Sequence, residues 1–173
     1  MDAHPIPLIE TPRASLRRFV PEDEEALAAA MSDPETLRFL PHFATSAGVR
    51  AWIEKNLTRY ERDGIGKWAL LLKPGRELIG YAGLARELVD GVPETEVGYA
   101  LAPKFRGQGI AGEVSRACIG YAFDRLRCPR VISLIHPENA ASCRVAERNG
   151  MRFEKTGVCE ARSCLIYAAS NDA

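Results

Sequence analysis

Residues 96–114 read EVGYALAPKFRGQGIAGEV, and they decide the fold. Gly107, Gly109 and Gly112 spell G-x-G-x-x-G, the fingerprint of a dinucleotide-binding turn. That fingerprint needs its first glycine at the very end of a strand. It also needs an acidic ribose partner about twenty residues on, at the end of the next strand. The flanks argue against both. The strand stops near Ala102, PKFR intervenes, and the next strand, VISLI, ends in His136-Pro137. A P-loop fails too, because no G-K-[S/T] follows. What fits is a strand, a glycine turn and a long amphipathic helix. The loop N–H groups and the helix N-terminus of such a unit converge on a phosphate. Gly107 and Gly109 let the backbone approach that ligand, and Lys104 and Arg106 add a local basic patch.

Outward from this stretch the pattern alternates between helical and strand periods. TEVGYALAP (95–103) is a strand stopped by Pro103, preceded by the turn DGVPE. KWALLLK (67–73) and ELIGYAGLARE (77–87) are strands joined by Pro74-Gly75-Arg76. Upstream, SAGVRAWIEKNLTRYERDG (46–64) predicts a helix capped by Ser46, with Val49, Trp52, Ile53, Leu57 and Tyr60 on its apolar face and Gly64 at its end. SDPETLRFLP reads as a break and a short turn, PEDEEALAAAM (21–31) as a helix, and ASLRRFV (14–20) as a first edge strand. Downstream, residues 110–126 form a helix with Ile110, Val114, Ala117, Cys118, Tyr121 and Leu126 as its buried stripe. RVISLIH (130–136) is a buried strand, ENAASCRVAERNG (138–150) a short helix, and MRFEKTG and ARSCLIYAA two closing strands. The order β-α-α-β-β-β-α-β-α-β-β is α+β, with a central meander and a parallel crossover through the 110–126 helix. The whole chain, 1–173, reads as a single domain without repeats or linkers.

Composition narrows the class. Lys+Arg and Asp+Glu are both 23, so nothing suggests a nucleic-acid partner or a membrane surface. Cys118, Cys128, Cys143, Cys159 and Cys164 contain no C-x-x-C and read as free thiols. His4, His42 and His136 do not cluster with them, so no metal is expected. The start, MDAHPIPLIETPR, has no apolar leader segment, and a cytoplasmic protein is expected.

Arg106-x-x-Gly109-x-Ala111 after a strand and before a long helix resembles the acetyl-CoA signature of the GNAT N-acetyltransferase superfamily. A second stretch strengthens the likeness. Asn139-x-x-Ser142 precedes RVAERNGMRFE, where Glu147, Arg148, Gly150 and Met151 stand where the family has Glu-Lys/Arg-x-Gly-Phe. EVGYALAPKFRGQGIAGEV and ETPRASLRRFVPEDEEALAAAMSDPETLRFLP are similar to the subgroup of ribosomal-protein alanine and serine N-terminal acetyltransferases. The resemblance covers nearly the whole chain.

It implies a GNAT fold, a central mixed, mostly antiparallel sheet flanked by helices, with acetyl-CoA as cosubstrate. Tyr99, Ala100 and Leu101 would offer main chain to the pantetheine arm as an added strand. Arg106, Gly107, Gln108, Gly109, Ile110 and Ala111 would wrap the pyrophosphate, and Asn139 would reach the pantetheine or simply cap its helix. Transfer to an amine needs a base for the amine's proton and a donor for the thioester oxygen, a backbone N–H near Leu101. Glu96 is the candidate base, on the face opposite Val97, Tyr99 and Leu101, with Glu94 and Glu138 as rivals. Many relatives carry an acidic-role Tyr where this chain has Ala146, which leaves Ser142 as the candidate acid or a helix-start serine. Cys143 has no His-Asp pair and is no nucleophile. His42, with Phe39 and Phe43, would line the acceptor pocket or pack as a surface loop. The acceptor would be a protein N-terminus or a small amine, and the protein a monomer or homodimer. The alternative is an inert module of the same fold that senses coenzyme A or serves as a scaffold.

Overall fold

The computed structural model describes residues 8–171. The expectation about a leader segment rests mostly on residues 1–7, His4 included, and lies outside the described residues. The strands are β1 (Ile9–Glu10), β2 (Ala14–Arg17), β3 (Lys67–Leu72), β4 (Glu77–Val89), β5 (Val92–Leu101), β6 (Arg130–Ile135), β7 (Arg152–Cys159) and β8 (Arg162–Ser170). The helices are α1 (Glu24–Ala30), α2 (Pro34–Phe39), α3 (Ser46–Asp63), α4 (Ile110–Asp124) and α5 (Ala140–Arg148). The strands form one sheet in the order β1-β2-β3-β4-β5-β6-β8-β7. Every neighbouring pair is antiparallel except β5–β6.

Strand alternation gives the sheet two apolar faces. On one, Trp68, Leu70, Ala82, Leu84 and Val97 pack against Val114, Cys118 and Ala122 of α4. On the other, Ala69 and Tyr81 meet Leu27 and Ala30 of α1 and Val49 and Ile53 of α3. The stripe expected for α4 is buried at Ile110, Val114 and Cys118, with Ala117, Tyr121 and Leu126 half-buried around it. No helix among the described residues is long and apolar enough to cross a membrane.

The differences from the sequence reading have local causes. SDPETLRFLP forms a real helix, α2, because Asp33 caps it: its carboxylate accepts the Thr36 N–H at 3.2 Å, and Pro34 takes the first helical position. Six residues are too short for an apolar period to betray it. The cap of α3 is Thr45, whose hydroxyl accepts the Gly48 N–H at 3.0 Å, and Ser46 is already helical. The DGVPE turn shrinks to Asp90-Gly91, both at positive φ (50° and 80°), so Val92–Glu94 join the strand. The first edge strand ends at Arg17, and the short β1 pairs outside it.

One feature of the topology makes the site. β5 and β6 are joined at a single register pair, Glu96↔Ile132. Beyond it they diverge, and the edge of β5 from Val97 to Leu101 is open toward a cleft. The crossover helix α4 starts at the mouth of that cleft, directly after the glycine turn.

Candidate active site

The glycine turn is built as an anion cradle. Gly107 and Gly109 hold left-handed conformations (φ 73° and 81°), and Gly109 is the N-cap of α4. Among the described residues, no protein acceptor takes the backbone N–H groups of residues 107–112; the first bonded one is Glu113, to the Gly109 carbonyl at 3.0 Å. A Cβ added at Gly107 or Gly112 would meet nothing within 4 Å, so the concave side is open. Gln108, Ile110 and Ala111 therefore contribute main chain, whereas the Arg106 N–H is already donated to the Pro103 carbonyl at 3.1 Å.

The side-chain cations are arranged differently from the expected patch. Arg106 turns away from the loop. Its guanidinium donates to the Leu101 carbonyl at 3.0 Å, to both carboxylate oxygens of Asp33 at 3.2 and 3.0 Å, and to Glu35 and the Thr36 hydroxyl. Lys104 pairs with Glu77 at 2.9 Å. The cation that lies beside the loop is Arg13 of the β1–β2 turn. It donates to the Gln108 carbonyl at 2.7 Å and pairs with Glu113 at 2.7 Å. No local pattern marks Arg13, because its contacts lie 95 and 100 residues away in the chain.

Glu96 stands at the vertex of the cleft, buried, on the α3 side of the sheet as alternation requires. One oxygen, Oε2, takes the ammonium of Lys67, itself buried; Oε1 has no protein donor among the described residues. The Lys67 backbone is fixed from α3, where Asn56 accepts its N–H at 2.8 Å and the Tyr60 hydroxyl donates to its carbonyl. Gly98 is required here for space: a Cβ would sit 2.7 Å from both Glu96 Oε1 and Lys67 Nζ. The rivals are occupied elsewhere. Glu94 shares Arg130 with Glu154, and Glu138 pairs with Arg38 on the surface.

Across the cleft, Asn139 caps α5, its carbonyl oxygen accepting the Ser142 N–H at 3.1 Å. Its amide nitrogen has no protein acceptor among the described residues, so the capping role leaves a donor free. Ser142 lies beside the Tyr99 hydroxyl, which is buried without a hydrogen-bond partner among the described residues. Burial pushes the Tyr99 phenol up in pKa, and the neighbouring Ser142 partly offsets this. Tyr99 thus brings a neutral O–H under α5 as well as the main-chain edge that sequence assigned to it. Cys143 faces Tyr167, whose hydroxyl donates to Glu147 at 3.3 Å, and no His-Asp pair serves it.

The expected acceptor loop divides. Phe43 is buried against Trp52 and Tyr81 (ring centroids 5.2 and 6.0 Å). Phe39 reaches over to His136 at the end of β6 (5.1 Å). Helix α2 therefore touches both lips of the cleft, Arg106 after β5 and His136 after β6. His42 faces Lys55, Glu160 and Arg162; partial burial lowers its pKa, Lys55 and Arg162 lower it further, and Glu160 opposes them. From α3 run the ion pairs Lys55–Glu160 (3.1 Å) and Arg59–Glu87 (2.5 Å), and the Lys67–Glu96 pair lies on the same side of the sheet. The Cys159 thiol, pushed up to about 11 chiefly by burial and then by Glu87, Glu160 and Glu96, sits among them. Chemically, the arrangement offers an anion cradle, an open strand edge and a carboxylate with one free oxygen, joined by one cleft.

Residues 13–152 match the model of the acetyltransferase (GNAT) domain. The chain is 30% identical to YoaA of Bacillus subtilis, described as an uncharacterized N-acetyltransferase, over 88% of this chain and 85% of that one. The crystal structure of an acetyltransferase from Agrobacterium tumefaciens is similar with a TM-score of 0.80 and 25% identity, covering 96% of this chain and 95% of that one. The fold is shared as well with RimL, a ribosomal L7/L12 alpha-N-protein acetyltransferase solved in complex with coenzyme A (TM-score 0.74, 21% identity, 94% and 96% coverage). With the splayed β5–β6 pair and the glycine cradle between them and α4, the chain belongs to the GNAT acetyltransferase family.

Proposed function

We propose that the protein, as one domain over residues 1–173, moves an acetyl group from acetyl-CoA to a primary amine by direct attack. The observation that carries this is the open run of N–H groups at 107–112, set at the mouth of a cleft whose vertex is Glu96. The cradle would hold the pyrophosphate, and the free edge at Tyr99, Ala100 and Leu101 the pantetheine, as an added strand. The Asn139 amide would donate to the same arm. Acetyl-CoA supplies a thioester, whose carbonyl carbon the amine attacks.

Glu96 Oε1 accepts the amine's proton, while Lys67 holds Oε2 and fixes the plane of the carboxylate. A backbone N–H near Leu101 faces the negative charge that develops on the thioester oxygen. Ser142, with the Tyr99 O–H beside it, returns a proton to the departing thiolate. The acceptor is a peptide N-terminus or a small-molecule amine. The protein acts in the cytoplasm as a monomer or homodimer, without a metal.

Release of free coenzyme A thiol, followed against a panel of peptides and small amines, tests the reading. Glu96→Gln is expected to lower kcat by about 10²- to 10⁴-fold and to leave acetyl-CoA binding unchanged. A variant as fast as the parent would remove Glu96 from the base role. Binding of acetyl-CoA without turnover of any amine would favour the sensing or scaffold module.

A further inference from the structure

The free edge of β5 is short. Gly98, Tyr99 and Ala100 are half-buried, between buried Val97 and Leu101. On the α3 face of the sheet, Gly98 and Ala100 belong to successive rungs, Gly83↔Gly98 and Tyr81↔Ala100. Alternate residues of a strand share a face, so these rungs are about 7 Å apart. Glu96 stands one rung further on, opposite Ala85.

The Glu96 carboxylate leans off its own rung. A Cβ at Gly98 would lie 2.7 Å from Glu96 Oε1, so the free oxygen stands over Gly98, with the Lys67 ammonium beside it. Along the strands, Oε1 is therefore about one rung, ~7 Å, from Tyr81. Gly83 and Gly98 add no side chain between the two.

Tyr81 is 6% exposed, and its ring is held by Trp52 and Phe43 (centroids 4.6 and 6.0 Å). Its hydroxyl has no hydrogen-bond partner among the described residues, and unlike that of Tyr99 it is not sealed from solvent. Burial raises the pKa of the phenol and the Glu96 charge raises it further, so the hydroxyl keeps its proton and feels the carboxylate. Buried polar groups are as a rule hydrogen-bonded, and leaving one unpaired costs stability. A fixed ring with its one polar atom unpaired, at the free edge and one rung from the candidate base, is a group for the acceptor.

We propose that Tyr81 determines acceptor specificity: its hydroxyl hydrogen-bonds an oxygen on the carbon next to the one bearing the amine, while the amine faces Glu96 Oε1. The proposal rests on the acetyl-transfer reading above. In a unit N–C–C–O the nitrogen and oxygen lie about 3 Å apart by ordinary bond lengths. A hydrogen bond of about 2.8 Å at each end lets the unit span the step of about 7 Å. An α-aminoacyl group and an amino alcohol both contain it. Simple alkylamines and polyamines lack the oxygen and leave Tyr81 unpaired.

The test compares matched acceptors in the parent and in Tyr81→Phe, which keeps the ring and removes only the O–H. Alaninamide is set against isopropylamine, and ethanolamine against propylamine. The parent should favour the oxygen-bearing member of at least one pair in kcat/KM. Tyr81→Phe should cut that preference about tenfold, as loss of one hydrogen bond does. Differences in amine basicity cancel between the two proteins, and KM for acetyl-CoA should stay as it was. The pairs tell the sources apart: alaninamide reports an aminoacyl carbonyl, ethanolamine the hydroxyl of an amino alcohol.

An equal preference in both proteins overturns the proposal. So does a Tyr81→Phe protein that melts well below the parent, because the hydroxyl would then serve the fold. Glu96→Gln, measured beside them, separates the two readings. Turnover lost in Glu96→Gln, with an unchanged preference in Tyr81→Phe, keeps acetyl transfer and removes only the role of Tyr81. A parent that acetylates no amine overturns the acetyl-transfer reading and this inference with it.

Discussion

The two halves of the cleft are built from different materials. The cradle at 107–112 is main chain: two left-handed glycines and the first turn of α4, contiguous in sequence, with the Arg13 guanidinium beside it on the Gln108 carbonyl. The proposed acceptor side is made of side chains from α3, β3, β4, β5 and the β7–β8 turn, brought together as three ion pairs whose members are 29, 28 and 105 residues apart. A main-chain cradle recognises a phosphate whatever the rest of the chain becomes. A side-chain mouth changes with each substitution, so specificity is expected to reside there, and damage to it should be felt in stability as well as in rate.

The largest expected effect follows from that contrast. Lys67→Met leaves Glu96 buried without its partner, and removing one member of such a pair costs about 3–5 kcal/mol. Urea unfolding should show this loss. Adding Glu96→Leu should restore most of it, because an apolar pair of similar volume replaces the buried charges at little or no net cost. If the double variant is no more stable than Lys67→Met, the pair is not what holds this face, and the contrast between the two halves loses its energetic side.

What the sequence disclosed follows the same division. Apart from the short β1 and α2, the order of elements, the crossover through α4 and the glycine loop were legible because each depends on neighbours in the chain: a period, a cap or a turn residue. Glu96 was legible in its face through strand alternation alone. Its pairing with Lys67 was not, since it rests on the β3–β4–β5 register and on Asn56 and Tyr60 fixing the Lys67 backbone. Arg106 shows the opposite failure. A basic residue beside a phosphate loop reads as a phosphate ligand, but α2 supplies Asp33, Glu35 and Thr36, and a guanidinium takes the nearer carboxylates. The helix that supplies them was too short to be seen.

A substitution in the cradle should sharpen the comparison by acting on one substrate only. Gly109→Ala places a Cβ in a left-handed conformation, a strain of about 1–2 kcal/mol, and sets that Cβ 3.4 Å from Arg13. KM for acetyl-CoA should rise several-fold while KM for the amine stays as it was. Steady-state kinetics with each substrate varied in turn measures both. An equal rise in the two would mean that the cradle and the mouth are not separable.

The smallest effect concerns α2, the element that touches both lips. Partial burial raises the Asp33 carboxyl, but hydrogen bonds from Thr36 and Arg106 outweigh it and hold the group below its ordinary value. A carboxyl depressed by folding stabilises the native state above its unfolded pKa, near ~3.9, and that contribution fades as pH falls through the lower folded value. Loss of a helix cap is worth about 1 kcal/mol. Asp33→Ala should therefore lower stability by about 1 kcal/mol at neutral pH, and the gap between parent and variant should narrow once the pH falls below about 4. Unfolding curves for both proteins across that range measure the gap. A gap that stays constant into acid would assign the effect to packing at Thr36 instead of to the charge. The cleft would then be closed at this side by the shape of α2 alone, and the Arg106 contact would be a consequence of that shape.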